Sequence, residues 1–481
     1  MNRPIVRLYV LVVLLFALLV AFTSRWTIFE AAGLRDNRLN RRSLLEQERI
    51  QRGAILAADG TVLARSVRAR ENTYTRTYPT RDLFAQAIGY SFTDPGQSGL
   101  ERYRNAALSG ETNRDELQAI LDQLQGKTKQ GDEVISTLDP AAQRTALSAL
   151  GEHRGAVLAL NPHTGAVLVM ASSPSYDPNV LRSASAYERL THDTSGSPLV
   201  NRTVQFGYAP GSTFKIVTAT AAIDTGQYTP DSLVSGRNGI LVSGVPLSND
   251  DDASYGELTL TEALVKSVNT VYAQVAEHLG KQTMARYMAR FGFDRKPRLD
   301  YPAEEMSASG EYLGQHLLHP TSPLVDVGRM GIGQDKLQVV PLQMAEVAAA
   351  VANHGRLMIP HLTDRIVNPE GQTVLDVHPR LQSVVMKSST AASLTGMMEA
   401  VVREGTGTTA QIPGVQVAGK TGTSETQIGT ATNNVWFIAF APASEPRVAI
   451  AVTLQDVPGQ GATFAAPVAR QVIESVLRTT S

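Results

Sequence analysis

Between Thr213 and Ala222 every residue is apolar or small except Lys215. Such a run reads as a buried helix, stopped near Asp224-Thr225-Gly226 by its glycine. The turn Pro210-Gly211 precedes it, then Ser212, which at a spacing of i, i+3 shares a face with Lys215. An ammonium group inside an apolar helix is costly, and this constrains the fold more than any other stretch. Either the lysine snorkels to water and Ser212 merely caps the helix, or the lysine gives up its proton more readily than its reference value of about 10.4. In the second case a neutral amine beside a hydroxyl is a general base beside a nucleophile. The tetrad alone leaves both readings open.

The 481 residues are enough for two or three domains. Lys and Arg total 44 against 45 Asp and Glu, a net charge of −1, and nothing points to a nucleic-acid partner. The absence of cysteine removes thiol catalysis, Cys-ligated zinc and disulfides. No motif calls for a cofactor or a metal. Compartment is read from the start of the chain, where Leu8 to Phe22 is uninterrupted apolar sequence preceded by Arg3 and Arg7. With Thr23 and Ser24 it is about 17 residues, near the lower limit for spanning a bilayer. A cleaved signal peptide is the alternative, but its only small-x-small site, Ala21-Phe22-Thr23, is poor, which favours an uncleaved anchor over residues 1–24. Arg3 and Arg7 favour a cytoplasmic N-terminus. Arg25, Arg35, Arg38, Arg41 and Arg42 pull the other way, although long domains translocate largely regardless of such charges. The bulk of the chain is expected outside the cytoplasmic membrane.

Residues 25–150 are polar and Arg-rich and carry no catalytic pattern, so they read as a pedestal or docking region. Arg52 to Ile55, then Asp59-Gly60, then Thr61 to Ala64 predict a strand, a turn and a return strand. Helices are predicted over 113–125 and 139–150, the second with Pro140 in its first turn, and residues 126–131 form a connector. The character changes at Gly155, and 151–481 read as one further domain. Residues 156–160 and 166–171 predict a hairpin, and 226–256 a Gly- and Ser-rich connection. Thr259-Leu260-Thr261-Glu262 is a capping box opening a helix that breaks at Ser267-Val268-Asn269. Further helices are predicted over 270–279, 341–352 and 465–477, and strands over 415–423, 435–440 and 448–454. Strands at both ends with helices between fit one mixed sheet covered by helices on both faces, an α/β (α+β) fold.

Three signatures occur once each and in order: Ser212-x-x-Lys215, Ser267-x-Asn269 and Lys420-Thr421-Gly422. The first opens a helix, the second sits between helices, and the third lies on a strand thinned by Gly419 and Gly422, as where another backbone approaches closely. Together they form the active-site set of penicillin-binding proteins and related β-lactamases. A competing match, Gly414 to Thr421, satisfies the phosphate-loop pattern but has a strand between its glycines and a loop after it. Gly405-Thr406-Gly407 resembles a dinucleotide fingerprint but leads into no helix and reads as a turn. No histidine lies beside the motifs.

On these motifs the chain resembles a class B penicillin-binding protein, and is similar to the short actinobacterial penicillin-binding protein A group. The likeness extends to Arg52-Gly53-x-Ile55, Gly99-Leu100-Glu101, Gly155-Ala156-Val157, Pro174 to Asn179, Asn201-Arg202, Pro341 to Ala345 and Trp436-Phe437-x-Ala439-Phe440-Ala441-Pro442. It implies a transpeptidase domain with a central antiparallel sheet between helices, on a non-catalytic pedestal. It also implies a serine D,D-transpeptidase that cross-links peptidoglycan stem peptides ending in D-Ala-D-Ala and is acylated by β-lactam antibiotics. About 125 pedestal residues leave little room for a glycosyltransferase domain, so a membrane glycosyltransferase partner is expected. In that scheme Ser212 is the nucleophile, Lys215 its base, and Ser267 the proton relay to the leaving amine. Asn269 holds the substrate's peptide group, Lys420 supplies positive potential, and the Thr421-Gly422-Thr423 edge receives the terminal carboxylate. Backbone N–H groups of Ser212 and Thr423 form the oxyanion hole. A hydrolase, either β-lactamase or carboxypeptidase, would use the same motifs. Against it, the middle motif is Ser-Val-Asn rather than Ser-Asp-Asn, and Glu304 and Glu305, the only acids near a plausible deacylating position, lack an Asn four residues on. A non-catalytic division scaffold or β-lactam sensor is a third reading, which the intact set of hydroxyls and lysines disfavours.

Overall fold

The computed structural model describes residues 3–25, 48–69, 73–111, 130–425 and 432–479. The helix predicted over 113–125, most of the 126–131 connector, and Arg35, Arg38, Arg41 and Arg42 lie outside the described residues. The N-terminal apolar run forms one helix, α1 (Arg3–Ser24), 22 residues long. At 1.5 Å per residue it measures about 33 Å, enough for a hydrocarbon core of about 30 Å. None of its residues is buried, so its apolar side chains have no protein core to pack against.

The pedestal begins with β1 (Ile55–Leu56) and β2 (Val62–Arg68), antiparallel across the expected turn. Gly60 takes the left-handed φ of 84° there, and Asp59 Oδ1 accepts the Thr61 amide at 2.9 Å. Then follow β3 (Tyr74–Thr77), a short helix α2 (Gly99–Tyr103) and β4 (Glu133–Ser136). Glu101 on α2 is fully buried and accepts Arg52 Nε at 2.7 Å and Arg76 Nε at 2.6 Å. Burial would raise its carboxyl, but Arg76 and Arg52 together hold it below the usual range. The sheet is not built from one stretch of chain. Its order is 373–376, 363–367, β4, β1, β2, β3, with two strands from far downstream continuing it. Neither was read from the sequence.

The larger unit starts with α3 (Pro140–Leu150), capped by Asp139, whose side chain accepts the amides of Ala141 and Ala142. The hairpin β5 (Gly155–Leu160) and β6 (Val167–Ser173) follows as predicted. A 3-10 turn, Gly211–Phe214, leads into α4 (Lys215–Asp224). The capping box at Thr259 and Glu262 opens α5 (Leu260–Val265). Next comes α6 (Asn269–Phe291), interrupted at Gly280 (φ 74°), where the periodicity had placed its end. The other elements that frame the site are α7 (Pro341–Ala352), α8 (Ser388–Glu404), β7 (Ala418–Glu425), β8 (Asn433–Ala441), β9 (Val448–Val457) and α9 (Ala465–Thr479). The predicted strand at 415–423 thus shifts to 418–425, because Val415 closes a turn onto the carbonyl of Ile412.

The central sheet has the order β7-β8-β9-β5-β6 and is antiparallel throughout, not mixed. Both faces are covered, which is why its strands read as nearly continuous apolar runs. Val435, Phe437 and Ala439 of β8 pack with Val157 and Ala159 under α3 and α9. The alternate residues Trp436, Ile438 and Phe440 pack with Leu158 under α4, α6, α7 and α8. The 226–256 connection is also more structured than expected. Leu233–Ser235 pairs with Glu257–Thr259, and Ile240–Val242 pairs with Val245–Leu247. Ser243 and Gly244, both at positive φ, form the two-residue turn such a hairpin demands.

Every residue of α7 is buried, including Glu346, whose Oε1 has no hydrogen-bond partner among the described residues. Burial pushes this carboxyl up to about 8 despite the opposing charge of Arg295. A raised folded-state value means that the unfolded chain releases this proton first. Stability is therefore full below the usual glutamate range and drains away as pH rises towards about 8. Glu346→Gln should accordingly melt at a higher temperature than the parent at pH 8, with the difference vanishing near pH 4.5. Calorimetry at the two pH values checks this.

Candidate active site

Three elements are packed backbone to backbone around Ser212. Gly211 has φ of 52°, donates its N–H to Gly333 O at 3.0 Å, and lies so close to β7 that a Cβ there would meet Thr423 O at 2.4 Å. A Cβ on Gly333 would meet Gly211 O at 2.0 Å. The segment leading into the turn is tied to the sheet through Ala209 O, which accepts Trp436 Nε1 at 2.9 Å and Ser424 Oγ at 3.0 Å. Gly422 meets the expectation for a thinned strand, since its added Cβ would lie 2.6 Å from Pro210 O. At Gly419 the obstacle is instead the Phe437 ring, at 2.6 Å.

The structure brings the three motifs to one place. Lys215 and Lys420 are both fully buried, and their amines converge on Ser267 Oγ, at 3.3 Å and 2.9 Å. Lys215 Nζ also donates to Ser267 O at 2.6 Å and Asn269 Oδ1 at 2.7 Å. Lys420 Nζ donates to Thr421 O at 3.0 Å. Ser267 sits in the turn between α5 and α6 with a left-handed φ of 60°, a conformation that costs a non-glycine residue about 1–3 kcal/mol and persists only where its surroundings enforce it. Ser212 is half-buried, three residues before Lys215, on the turn whose Gly211 presses against β7. Thr421 Oγ1 pairs with Thr406 Oγ1 at 2.6 Å, and Thr423 Oγ1 accepts Gly461 N at 3.3 Å.

Burial, reinforced by the charge of Lys420, sets Lys215 well below the usual lysine range, against the pull of Asp250. Burial lowers Lys420 to about 7, again opposed by Asp250. The snorkelling alternative for Lys215 is thereby excluded. The i, i+3 spacing lets Ser212 and Lys215 touch. Among the described residues no hydrogen bond joins the two, because the amine is taken by better acceptors, a backbone carbonyl and an amide oxygen.

One other expectation changes. Glu305 accepts Gly99 N at 3.0 Å and Glu304 pairs with Arg102, so both acids are engaged with α2. The carboxylate at the cluster is Asp250, which accepts Asn269 Nδ2 at 3.2 Å. Sequence reasoning passed over it inside the 226–256 connection. It also passed over Thr406, in the turn discounted as a dinucleotide fingerprint. As for the phosphate-loop match, Lys420 and Thr421 lie within β7 and not at a helix N-terminus.

Residues 155–474 match the penicillin binding protein transpeptidase domain family. The chain belongs to the penicillin-binding proteins. Residues 52–134 match the penicillin binding protein A dimerisation domain, which places this penicillin-binding protein in class B, in the penicillin-binding protein A group. It is 35% identical to the peptidoglycan D,D-transpeptidase PbpA of Mycolicibacterium smegmatis, with 99% of each chain covered. It is 34% identical, with the same coverage, to PbpA of Mycobacterium tuberculosis. Among solved structures, the ceftriaxone acyl-enzyme complex of M. tuberculosis penicillin-binding protein A superposes with a TM-score of 0.81 at 33% identity, covering 90% of this chain and 100% of that one.

In this penicillin-binding protein the close approach at Gly422 yields a test. Gly422→Ala pushes a methyl group into Pro210 O and within 2.9 Å of Thr213 Cγ2, so it should cost about 1–3 kcal/mol and slow penicillin labelling. Gly414→Ala, with φ of 75° but open space around it, should cost about 1–2 kcal/mol through backbone strain alone and leave labelling unchanged. Melting temperature and the rate of labelling by a fluorescent penicillin separate the two.

Proposed function

We propose that Ser212 is the acylated nucleophile of a peptidoglycan D,D-transpeptidase acting in cell-wall synthesis. The observation that carries this reading is the convergence of two buried amines on one hydroxyl, beside a second hydroxyl on a turn pressed against a strand edge. Ser212 Oγ attacks the carbonyl of the penultimate D-Ala, and its proton passes to the Lys215 amine. The carbonyl oxygen carries the developing charge, stabilised by the backbone N–H groups of Ser212 and Thr423. The peptide C–N bond then breaks, and the proton leaves Lys215 through Ser267 Oγ to the departing D-Ala amine. Asn269 orients the donor's peptide group. Lys420, with the Thr421-Gly422-Thr423 edge, receives the terminal carboxylate. The ester formed at Ser212 is resolved by an amine of a second stem peptide. A β-lactam enters by the same attack and remains attached to Ser212.

The engagement of Glu304 and Glu305 with α2 supports aminolysis over rapid hydrolysis, because it ties both acids to the pedestal. The same reading takes residues 1–24 as a cytoplasmic tail and single membrane anchor, 25–150 as the pedestal, and 151–481 as the catalytic domain outside the membrane. It includes a membrane glycosyltransferase as partner, since cross-linking needs polymerised strands and the pedestal offers no polymerising chemistry.

Two measurements test the assignment. Ser212→Ala should abolish labelling by a fluorescent penicillin, and persistent labelling would refute the nucleophile. The second-order acylation rate reports the free enzyme's ionisations. Lys215 must be neutral and Lys420 charged, so the rate should fall in acid as Lys215 takes up a proton and fall again as pH rises through about 7, where Lys420 loses its charge. A rate still climbing at pH 9 would remove Lys420 from its electrostatic role.

A further inference from the structure

Asn269 has a donor end and an acceptor end, and the chemistry around it leaves no freedom in which way it points. On one side lie two groups that can only accept: Ser248 O, 3.3 Å from Nδ2, and Asp250 Oδ1, 3.2 Å from Nδ2. On the other lies the Lys215 amine, 2.7 Å from Oδ1. Turning the amide over would set two carbonyl-type oxygens and a carboxylate against one another.

The turn that carries Asp250 is built to stay in place. It is a 3-10 turn, Asp250–Asp252, in which Asp251 and Asp252 take left-handed φ values of 55° and 50°. Strain of that kind, about 1–3 kcal/mol for each residue, persists only where the surroundings enforce it. Asn249 provides the clamp. It is buried, its Oδ1 accepts Thr270 N at 2.9 Å in the first turn of α6, and its Nδ2 donates to Gly236 O at 3.1 Å and Ala253 O at 2.9 Å. The carboxylate is thus fixed to the same helix start that presents Asn269.

We propose that Asp250 is a positioning residue of the transpeptidase site: its carboxylate fixes the Asn269 amide towards Lys215 and supplies the negative charge against which the Lys215 and Lys420 amines are balanced. The inference rests on the reading of Ser212 as nucleophile. The charged groups at the cluster are few. α4 contributes Lys215, β7 contributes Lys420, and the 3-10 turn contributes Asp250, with Asp251 and Asp252 beside it. α6 brings only the neutral Asn269 and Tyr272, the latter's ring 6.0 Å from Lys215 Nζ. Lys266, next to Ser267, lies instead over the Tyr255 ring at 5.6 Å. Among the described residues Asp250 is the carboxylate whose charge acts on both buried amines, raising each against the effect of burial. Asp250 is itself exposed, so solvent moderates this influence.

Two variants of the full-length, detergent-solubilised protein separate orientation from charge. Asp250→Asn can still turn a carbonyl oxygen to Asn269 Nδ2 but carries no charge. Asp250→Ala provides neither. The readout is the second-order rate of acylation by a fluorescent penicillin from pH 5 to 9, with Ser212→Ala in parallel. Asp250→Asn should keep its maximal rate within about threefold of the parent while both limbs of the profile move to lower pH, since each amine then holds its proton less tightly. Asp250→Ala should show the same displacement and in addition lose about tenfold or more at the maximum, the loss of a transition-state orientation. An unmoved profile in Asp250→Asn, or a parental maximum in Asp250→Ala, would overturn the proposal. Labelling of Ser212→Ala would instead overturn the nucleophile assignment, so the two failures are distinguishable.

Discussion

Two lysine amines buried in one pocket repel each other and are both stripped of water, and the catalytic half of the molecule is arranged around that cost. Leaving both charged would be prohibitive. The proposed mechanism resolves the conflict by giving the amines separate duties. Lys215, deeper in the conflict because it feels both burial and Lys420, is the one driven furthest towards the neutral form. Lys420, lowered only to about 7, retains a substantial charged population at neutral pH. On the proposed mechanism a base and a cation are thus obtained from two residues of the same type by a difference in surroundings, with Ser267 Oγ between them as the group both can address.

Holding such a pocket together requires the elements around it to approach more closely than side chains permit. Gly211, Gly333 and Gly422 are the places where carbonyl oxygens of neighbouring segments occupy the space of a missing Cβ. The approach is one of backbone on backbone, so it is rigid in a way that packed side chains are not. It fixes Ser212 relative to β7, and β7 is fixed in turn by pairing with β8 along its whole length. The antiparallel sheet, apolar on both faces, therefore serves as the reference frame for a site that lies at its edge.

How much of this was legible in the sequence follows from how local each feature is. Ser212 with Lys215, Ser267 with Asn269, and Lys420 with Thr421 are short patterns in which the chemistry and the turn or strand that presents it are encoded together, and all three could be found. The capping box at Thr259 and the turn at Asp59-Gly60 are legible for the same reason. Asp250 was not, because its importance depends on where a hairpin of three-residue strands folds back. Ile240–Val242 and Val245–Leu247 are too short for periodicity to register. Nor could the sequence show that Lys215 would prefer Ser267 and Asn269 to Ser212, a choice made by residues more than fifty positions away. Glu304 and Glu305 show the converse error: their position along the chain suggested proximity to the site, and tertiary packing turns them onto α2.

The late strands at 363–367 and 373–376 change what the pedestal is. Drawn along the chain, the boundary near residue 150 separates a non-catalytic region from a catalytic one. Drawn through the fold, it cuts a six-stranded sheet, because Thr363–Val367 pairs with β4. The same junction carries partly buried polar links. Arg104 binds Asp300 at 3.1 Å and Thr363 Oγ1 at 2.9 Å, and Asn179 exchanges hydrogen bonds with the backbone of Tyr78. One apolar core runs through from Ile55 and Leu63 to Leu158 and Phe214. Removing the first 150 residues would therefore expose a strand edge and leave Asp300 without its arginine, both of which natural folds avoid. The pedestal is better regarded as one wall of the catalytic unit than as a spacer beneath it, and this explains why residues without chemistry, such as Arg52, Arg76 and Glu101, are buried as carefully as those that have it.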